Sequence, residues 1–282
     1  MFSRVFQLFK IARKLSISGA IETIDQVYKL PFLIKIFFTT ISIGSQKKIN
    51  VNKTKPGEKL CIALEEMGTT FIKLGQFLAT RPDIIGKELA KSLEKLQDKL
   101  PAFDTYQAKK IIKKEVGEEQ FKNILELSDP IAAASIAQVH IAKIKDGNQN
   151  REVAIKILRP DIEKLFNEEL DALMLFAYII ENTVSKAKRL KLVEVVYLLR
   201  EITNIEMDLR FEAAAANELY ENTKNDKGFN VPQIYWNFTS KKILTLDKVN
   251  GISIREQEKI REYGVNLKLL AENLIQHFLK QS

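Results

Sequence analysis

The chain has 282 residues, 45% of them apolar and 28% charged, enough for one large or two smaller packed units with a real core. Its single cysteine, Cys61, excludes an internal disulfide framework and points to a reducing compartment. A net charge of +8 suits nucleic acid or an anionic membrane surface, but the lysines are scattered and neither zinc spacing nor an RNP-like strand is present, which excludes nucleic acid.

The first segment, MFSRVFQLFKIARKL, sets Phe2, Phe6, Leu8 and Phe9 against Arg4, Lys10, Arg13 and Lys14. This predicts a basic amphipathic helix with no secretory pattern. The apolar run Pro31–Ile43 is interrupted by Lys35 and is too short to span a bilayer. Both segments either lie on an anionic membrane surface or pack on the body of the protein. From Lys59 to Thr80 apolar residues recur at three- and four-residue spacing, which predicts one helix; Arg81-Pro82-Asp83 ends it and opens another through about Leu96. Asp104 is placed to cap a further helix running toward Gly117.

The pattern changes near Ser128. AQVHIAKIK (Ala137–Lys145) and EVAIKIL (Glu152–Leu158) alternate as strands around the turn signal DGNQN, which predicts a β-hairpin. Helix is expected again from Asp161 to about Glu181 and from about Leu190 to Asn222. Two short strands follow, Gln233–Phe238 and Lys242–Val249, and then a closing helix, Leu267–Lys280. The order is a helical region, a β-hairpin with a third strand, helices, a second hairpin and helix. It is the order of a protein-kinase-like N-lobe running into a C-lobe, an α+β fold with a small antiparallel sheet.

The residues with chemical potential fall on these elements. Lys156 alternates with Val153, Ile155 and Ile157 on its strand. It is either a solvated edge lysine or one that grips the α- and β-phosphates of a nucleotide beneath a small-residue loop. Such a lysine needs a carboxylate partner. Asp208 and Glu212, four apart, share a helix face and are either a solvated stripe or that partner, with the alanines from Ala213 to Ala216 thinning the helix for close approach. Lys73 and Gln76 are three apart on one face, with Gly75 between them, which alone reads as a polar edge with a close-packing glycine.

KLGQ followed by RPD, AAASIAQVH, VAIKILRP and EMDLRFEAAAANEL, in this order, resemble the UbiB family of atypical protein-kinase-like proteins linked to ubiquinone biosynthesis. The resemblance covers the chain from about Ala12 to Ser282. It implies a nucleotide binder, taking ATP or ADP, restrained from ordinary protein phosphorylation. Its alanine-rich loop falls on Ala132, Ala133 and Ala134, within a nucleotide-covering stretch Ile131, Ser135, Ile136, Ala137, Gln138 and Val139. Alanine's β-carbon narrows the backbone freedom that glycine would leave. The family's Lys-x-Gly-Gln motif falls on Lys73–Gln76, in a helical extension covering the site where a kinase would take a peptide. Its Glu-x-Asp motif falls on Glu206 and Asp208, and its helix-C glutamate on Glu212. Its hinge falls near Asp247–Val249, where the backbone of Asp247 and Val249 would hold the adenine.

The family's His-x-Asp…Asn and Asp-Phe-Gly segments are not found in this sequence, whose two histidines are His140 and His277. Phosphoryl transfer needs the base and metal-holding residues of those segments. The expectation is therefore an ATP-binding portion that does not turn over ATP by itself, from a truncated or split gene. No metal ligands are assigned; Mg2+ would enter only with the missing part. Three regions are expected: 1–127, a helical extension; 128–250, a kinase-like N-lobe; and 251–282, the start of a helical C-lobe. The resemblance also implies an isoprenoid-quinone-type lipid or ubiquinone-biosynthesis proteins as partners, and a peripheral position on the cytoplasmic face of the bacterial inner membrane. Two other readings stay open: a catalytically dead nucleotide- or lipid-binding remnant, and a basic membrane adaptor without nucleotide.

Overall fold

A computed structural model describes residues 2–18, 21, 25, 29, 31–43, 56–96 and 100–280. In chain order the elements are α1 (Phe2–Ile17), α2 (Phe32–Ile41), α3 (Pro56–Met67), α4 (Thr69–Ala79), α5 (Pro82–Ile85), α6 (Lys87–Leu93) and α7 (Thr105–Phe121). Strands β1 (Ile124–Ala133), β2 (Ala137–Asp146) and β3 (Gln149–Leu158) follow, then α8 (Ile162–Thr183), α9 (Leu192–Glu206) and α10 (Leu209–Thr223). Strand β4 (Ile243–Asp247), α11 (Gln257–Glu262) and α12 (Leu267–Lys280) complete the order. Two compact units are formed, one from Met1–Phe103, Ala132–Gln138 and Leu158–Met207, the other from Asp104–Ile131, Val139–Ile157 and Asp208–Ser282.

The first unit is a helical assembly in which α8 packs on α9 and α1, and α4 on α3 and α6. Its core holds Phe71, Ile72, Leu93, Phe166, Leu170 and Leu199, each at most 2% exposed. Every such side chain contributes about 1.5–3 kcal/mol through burial. Ile11 and Ala12 of α1 are buried, so this helix packs on the body of its unit; the side chains of residues 2–8 lie outside those described. The α2 helix is different. It buries Phe38 but leaves Phe32, Ile36 and Phe37 exposed. Among the described residues no helix is long and apolar enough to cross a membrane.

Three expected helices are broken. The one expected from Arg81-Pro82-Asp83 through about Leu96 is two, α5 and α6, because Gly86 takes φ +85° between them. The single helix over 59–80 is two, because Gly68 takes φ +104°, a conformation suited to glycine, and ends α3 before α4 begins. The helix over 190–222 is also two, since Asp208 is extended (φ −120°, ψ 94°) and starts α10 as its N-cap. Asp104 occupies the N-cap position of α7 as expected, but no side-chain hydrogen bond caps the helix, and Gly117 at φ +85° kinks it.

The sheet of the second unit has the order β1-β2-β3-β4. β3 and β4 run antiparallel with Val153 opposite Asp247, Ile155 opposite Thr245 and Lys156 opposite Leu244. Val153, Ile155, Ile157, Ile144 and Ile243 are fully buried, so one face of the sheet carries the core. His140 is buried too, its Nδ1 2.8 Å from the Ser128 carbonyl, which makes that nitrogen a donor tying β2 to β1. The strand expected over 233–238 reduces to a bridge between Ile234 and Leu246 followed by a 3-10 turn at Trp236–Phe238. Tertiary bonds account for this. Tyr235 Oη donates to Asp247 Oδ1 at 2.7 Å, and Thr245 Oγ1 donates to the Phe238 carbonyl at 2.7 Å, bending the chain away from strand pairing. Burial, then the Asp247 carboxylate, pushes the Tyr235 phenol up to about 12. His277, on α12, is a packing residue: buried, it stacks on Phe229 with ring centroids 4.8 Å apart.

Candidate nucleotide site

In the second unit the alternation of β3 decides where Lys156 points. Its neighbours Ile155 and Ile157 take the buried face, so Lys156 leaves by the other and remains half-exposed. Its Nζ donates to both oxygens of Glu212, at 2.9 Å to Oε1 and 2.7 Å to Oε2. Glu212 stands in the first turn of α10, where the helix dipole favours a carboxylate. α10 reaches the sheet through Leu209 and Ala213, both buried, and the Leu209 N–H donates to the Lys241 carbonyl at 2.9 Å. Of the alanine run, Ala213 makes the close approach, whereas Ala214 and Ala215 face outward.

Asp208 and Glu212 do not share a helix face. Asp208 precedes α10, and its carboxylate is taken up by Arg210: from the backbone N–H at 3.1 Å, from Nε at 2.9 Å and from Nη2 at 2.6 Å. The Arg210 guanidinium holds the Asp208 carboxyl below the usual carboxylate range. Arg210 was not singled out in the sequence, though its place two residues after an N-cap aspartate is where such a fork can close.

Asp247 and Val249 differ in what they offer. The Asp247 N–H already donates to the Gln233 carbonyl at 3.0 Å, and Lys248 N–H to Glu152 at 3.3 Å. Val249 is 67% exposed, on the chain leaving β4.

In the first unit, Lys73 lies 2.9 Å from Glu206 Oε2, with 17% and 35% of the two side chains exposed. Helices α4 and α9 thereby present an ion pair made of the Lys-x-Gly-Gln lysine and the first acid of Glu-x-Asp. Gln76 is half-buried one turn further along α4. Gly75 is buried, and the reason is steric: a β-carbon there would stand 2.2 Å from Leu96 Cδ1 and 2.8 Å from Leu64 Cδ1. The alanine-bearing turn falls between β1 and β2. Ala132 is exposed and Ala133 and Ala134 half-buried, but Ser135, Ile136, Ala137 and Gln138 are interior. Ile131 and Val139 lie in the flanking strands, Ile131 being 61% exposed. Arg159, just past β3, reaches this turn, a role that the sequence did not signal because its acceptors are backbone carbonyls.

Among the described residues no group of three His, Cys, Asp or Glu side chains is placed to hold a metal ion.

The model of the ABC1 atypical kinase-like domain matches residues 95–282. Three proteins named "Probable protein kinase UbiB" illustrate the likeness. That of Marinobacter nauticus is 36% identical over 280 residues, covering 99% of this chain and 50% of the relative. That of Azotobacter vinelandii is 36% identical over 226 residues, 79% of this chain and 41% of the relative. That of Vibrio parahaemolyticus is 33% identical over 280 residues, 99% of this chain and 50% of the relative. The chain thus spans about half the length of the curated relatives it matches. Matched over two-thirds of its length by the domain model and nearly end to end by these relatives, the chain belongs to the ABC1 atypical kinase-like family.

Proposed function

We propose that this chain is the nucleotide-binding part of a UbiB-like atypical kinase or ATPase that supports ubiquinone biosynthesis, and that it takes ATP or ADP. The observation that carries the reading is the two-point bond between Lys156 and Glu212. A strand lysine held by a helix carboxylate has its charge pre-positioned for the α- and β-phosphates, which is the part such a lysine plays in protein kinases. Val249, 67% exposed on the chain leaving β4 of the same unit, is offered to the adenine edge. Lys73 and Glu206 restrain the helical extension. Titration of the 282-residue chain with a fluorescent ADP or ATP analogue tests this. Lys156→Met is expected to weaken binding about tenfold or more, the loss of a charge-assisted contact; unchanged affinity in that variant, with normal folding, overturns the assignment.

A second reading, which can hold together with the first, is peripheral attachment to an anionic membrane, proposed for the cytoplasmic face of the inner membrane. It is favoured by Phe32 (74% exposed), Phe37 (49%) and Ile43 (74%) on and beside α2. Lysines and arginines near such a surface contribute about 1 kcal/mol each, and partly buried aromatic rings add to this. Vesicle flotation of the intact chain and of a Phe32→Ser/Phe37→Ser variant at low and high salt is the check. Equal flotation of both, or none of either, removes this reading.

A further inference from the structure

The turn between β1 and β2 is held by side chains that take up its carbonyls one after another. The Ala134 carbonyl accepts the fork of Arg159, Nε at 3.1 Å and Nη2 at 2.9 Å. The Ser135 carbonyl accepts the Thr69 hydroxyl at 3.4 Å. The Ile136 carbonyl accepts the Arg159 backbone N–H at 2.8 Å, and the Ala134 N–H closes the turn on the Ala137 carbonyl, also at 2.8 Å. Arg159 has one more reach, from Nη1 to the Pro101 carbonyl at 3.0 Å. Beside it Gln138, with no exposed surface, copies a strand neighbour: its Oε1 accepts the Phe103 N–H at 2.8 Å and its Nε2 donates to the Phe103 carbonyl at 3.1 Å. All of these residues belong to the first unit.

A loop that closes over a ligand keeps its backbone groups exchanging with water and its residues mobile. Here three successive carbonyls are committed, the residues that carry two of them are interior, and a side-chain amide staples the following strand to the Pro101–Phe103 segment. The fork matters because its rigid plane sends Nε and Nη2 to one carbonyl and Nη1 to another, a spread that the compact ammonium of a lysine does not reproduce. Alanine alone would only narrow backbone freedom; it would not hold the turn to anything.

We propose that Arg159 and Gln138 are positioning residues that lock the alanine-bearing turn against the Pro101–Phe103 segment, so that the turn is a fixed part of the helical unit and a nucleotide meets a pre-set loop. The lock is a property of the first unit. Its effect on nucleotide rests on the function proposed above.

Hydrogen–deuterium exchange of the 282-residue chain, read in peptides over 132–141, tests the lock, and ADP titration tests its consequence. In the wild type the Ala134–Gln138 amides are expected to exchange at least tenfold more slowly than those of the exposed turn at Gly147–Asn148. Equal rates in the two turns overturn the proposal without any variant. Arg159→Met is expected to speed exchange in the loop about tenfold to a hundredfold, the loss of hydrogen bonds from a charged donor, while peptides over 192–206 and 243–247 keep wild-type rates. Arg159→Lys is expected to fall between the two, because it keeps the charge and one contact. This graded order, with a weaker ADP affinity in the Met variant partly restored in the Lys variant, is not expected of general destabilisation. Loop exchange unchanged in a folded Arg159→Met or Arg159→Lys variant refutes the lock. A wild type that binds no ADP refutes the nucleotide reading and leaves the exchange data to decide the lock by itself.

Discussion

Replacing Gly75 by alanine puts a methyl group where the packing of α4 has no room. The added carbon would lie 2.2 Å from Leu96 Cδ1 and 2.8 Å from Leu64 Cδ1. Leu64 is 4% exposed and Leu96 6%, so both leucines must change rotamer or the helices must separate within a filled core. Overpacking of this kind costs about 1–3 kcal/mol. The better helix propensity of alanine over glycine returns up to about 1 kcal/mol. With the full propensity gain the balance is a loss of up to about 2 kcal/mol, which for a chain of this size lowers the midpoint of thermal unfolding by up to about 8 °C. Circular dichroism melts of wild type and Gly75→Ala, followed at the helical signal, measure it. A second change, Leu96→Ala, made in the Gly75→Ala background is expected to cost less than the same change in the wild type, since it makes the missing space. A Gly75→Ala midpoint above that of the wild type would refute the reasoning, and the glycine would then need a role in the site itself and not in packing.

Other outcomes follow from single contacts. Asp208→Ala removes the N-cap of α10 and the partner of Arg210, and is expected to cost about 1 kcal/mol in urea unfolding at neutral pH. Because the folded Asp208 carboxyl is held below its ordinary value, that advantage is full above the ordinary carboxylate range and shrinks as pH falls through about 4 and below, so wild type and variant converge in acid. Glu169 on α8 has the opposite sign. Burial raises its carboxyl, against weaker opposing pulls from Thr70, Lys14 and Lys10, so the folded state binds the proton more tightly and stability declines as pH climbs past the ordinary glutamate value. Glu169→Gln is expected to flatten that decline in a series of pH-dependent melts. The coupling between Lys156 and Glu212, taken from a double-mutant cycle with Met and Gln, is expected to be only about 0.2–1 kcal/mol in unfolding, since both head groups are partly solvated.

Much of the second unit's geometry could be read from the sequence because its signals are local. The alternation around Lys156 placed it opposite the core face, and Glu212 lies on an element whose N-cap aspartate is visible in the letters. β1 was missed beyond the change near Ser128, and its burial explains why. At the end of the sheet order, it exposes much of its length and contains Pro130, so it shows no clean inside–outside alternation. The aromatic run Gln233–Phe238 has high strand propensity, yet hydrogen bonds with Asp247 and Thr245 accompany a 3-10 turn over its second half; propensity yields to such contacts. The breaks at Gly68 and Asp208 were legible in principle, one as a glycine inside a helical pattern and the other as an N-cap residue before an acidic first turn. The reach of Arg159 was not, because its acceptors are backbone carbonyls 58 and 25 residues earlier, and carbonyls leave no mark in a sequence.

The tip of the β2–β3 hairpin offers a chemical handle. Residues Lys145–Asn150 are all exposed, and Gly147 takes φ +58° so that the chain reverses in two residues. The pairing of β3 with β4 is set further along by the buried Val153, Ile155 and Ile157, since a one-residue slip would drive the Lys156 ammonium into the core. The tip can therefore be altered without displacing the lysine. The chain's own thiol is well hidden for this purpose: Cys61 is 8% exposed, its Sγ lies 3.0 Å from the Ser92 carbonyl, and burial raises it away from the reactive thiolate. A cysteine introduced by Asn148→Cys would thus take a maleimide dye ahead of Cys61, giving a one-site label at the turn that leads into the strand carrying Lys156.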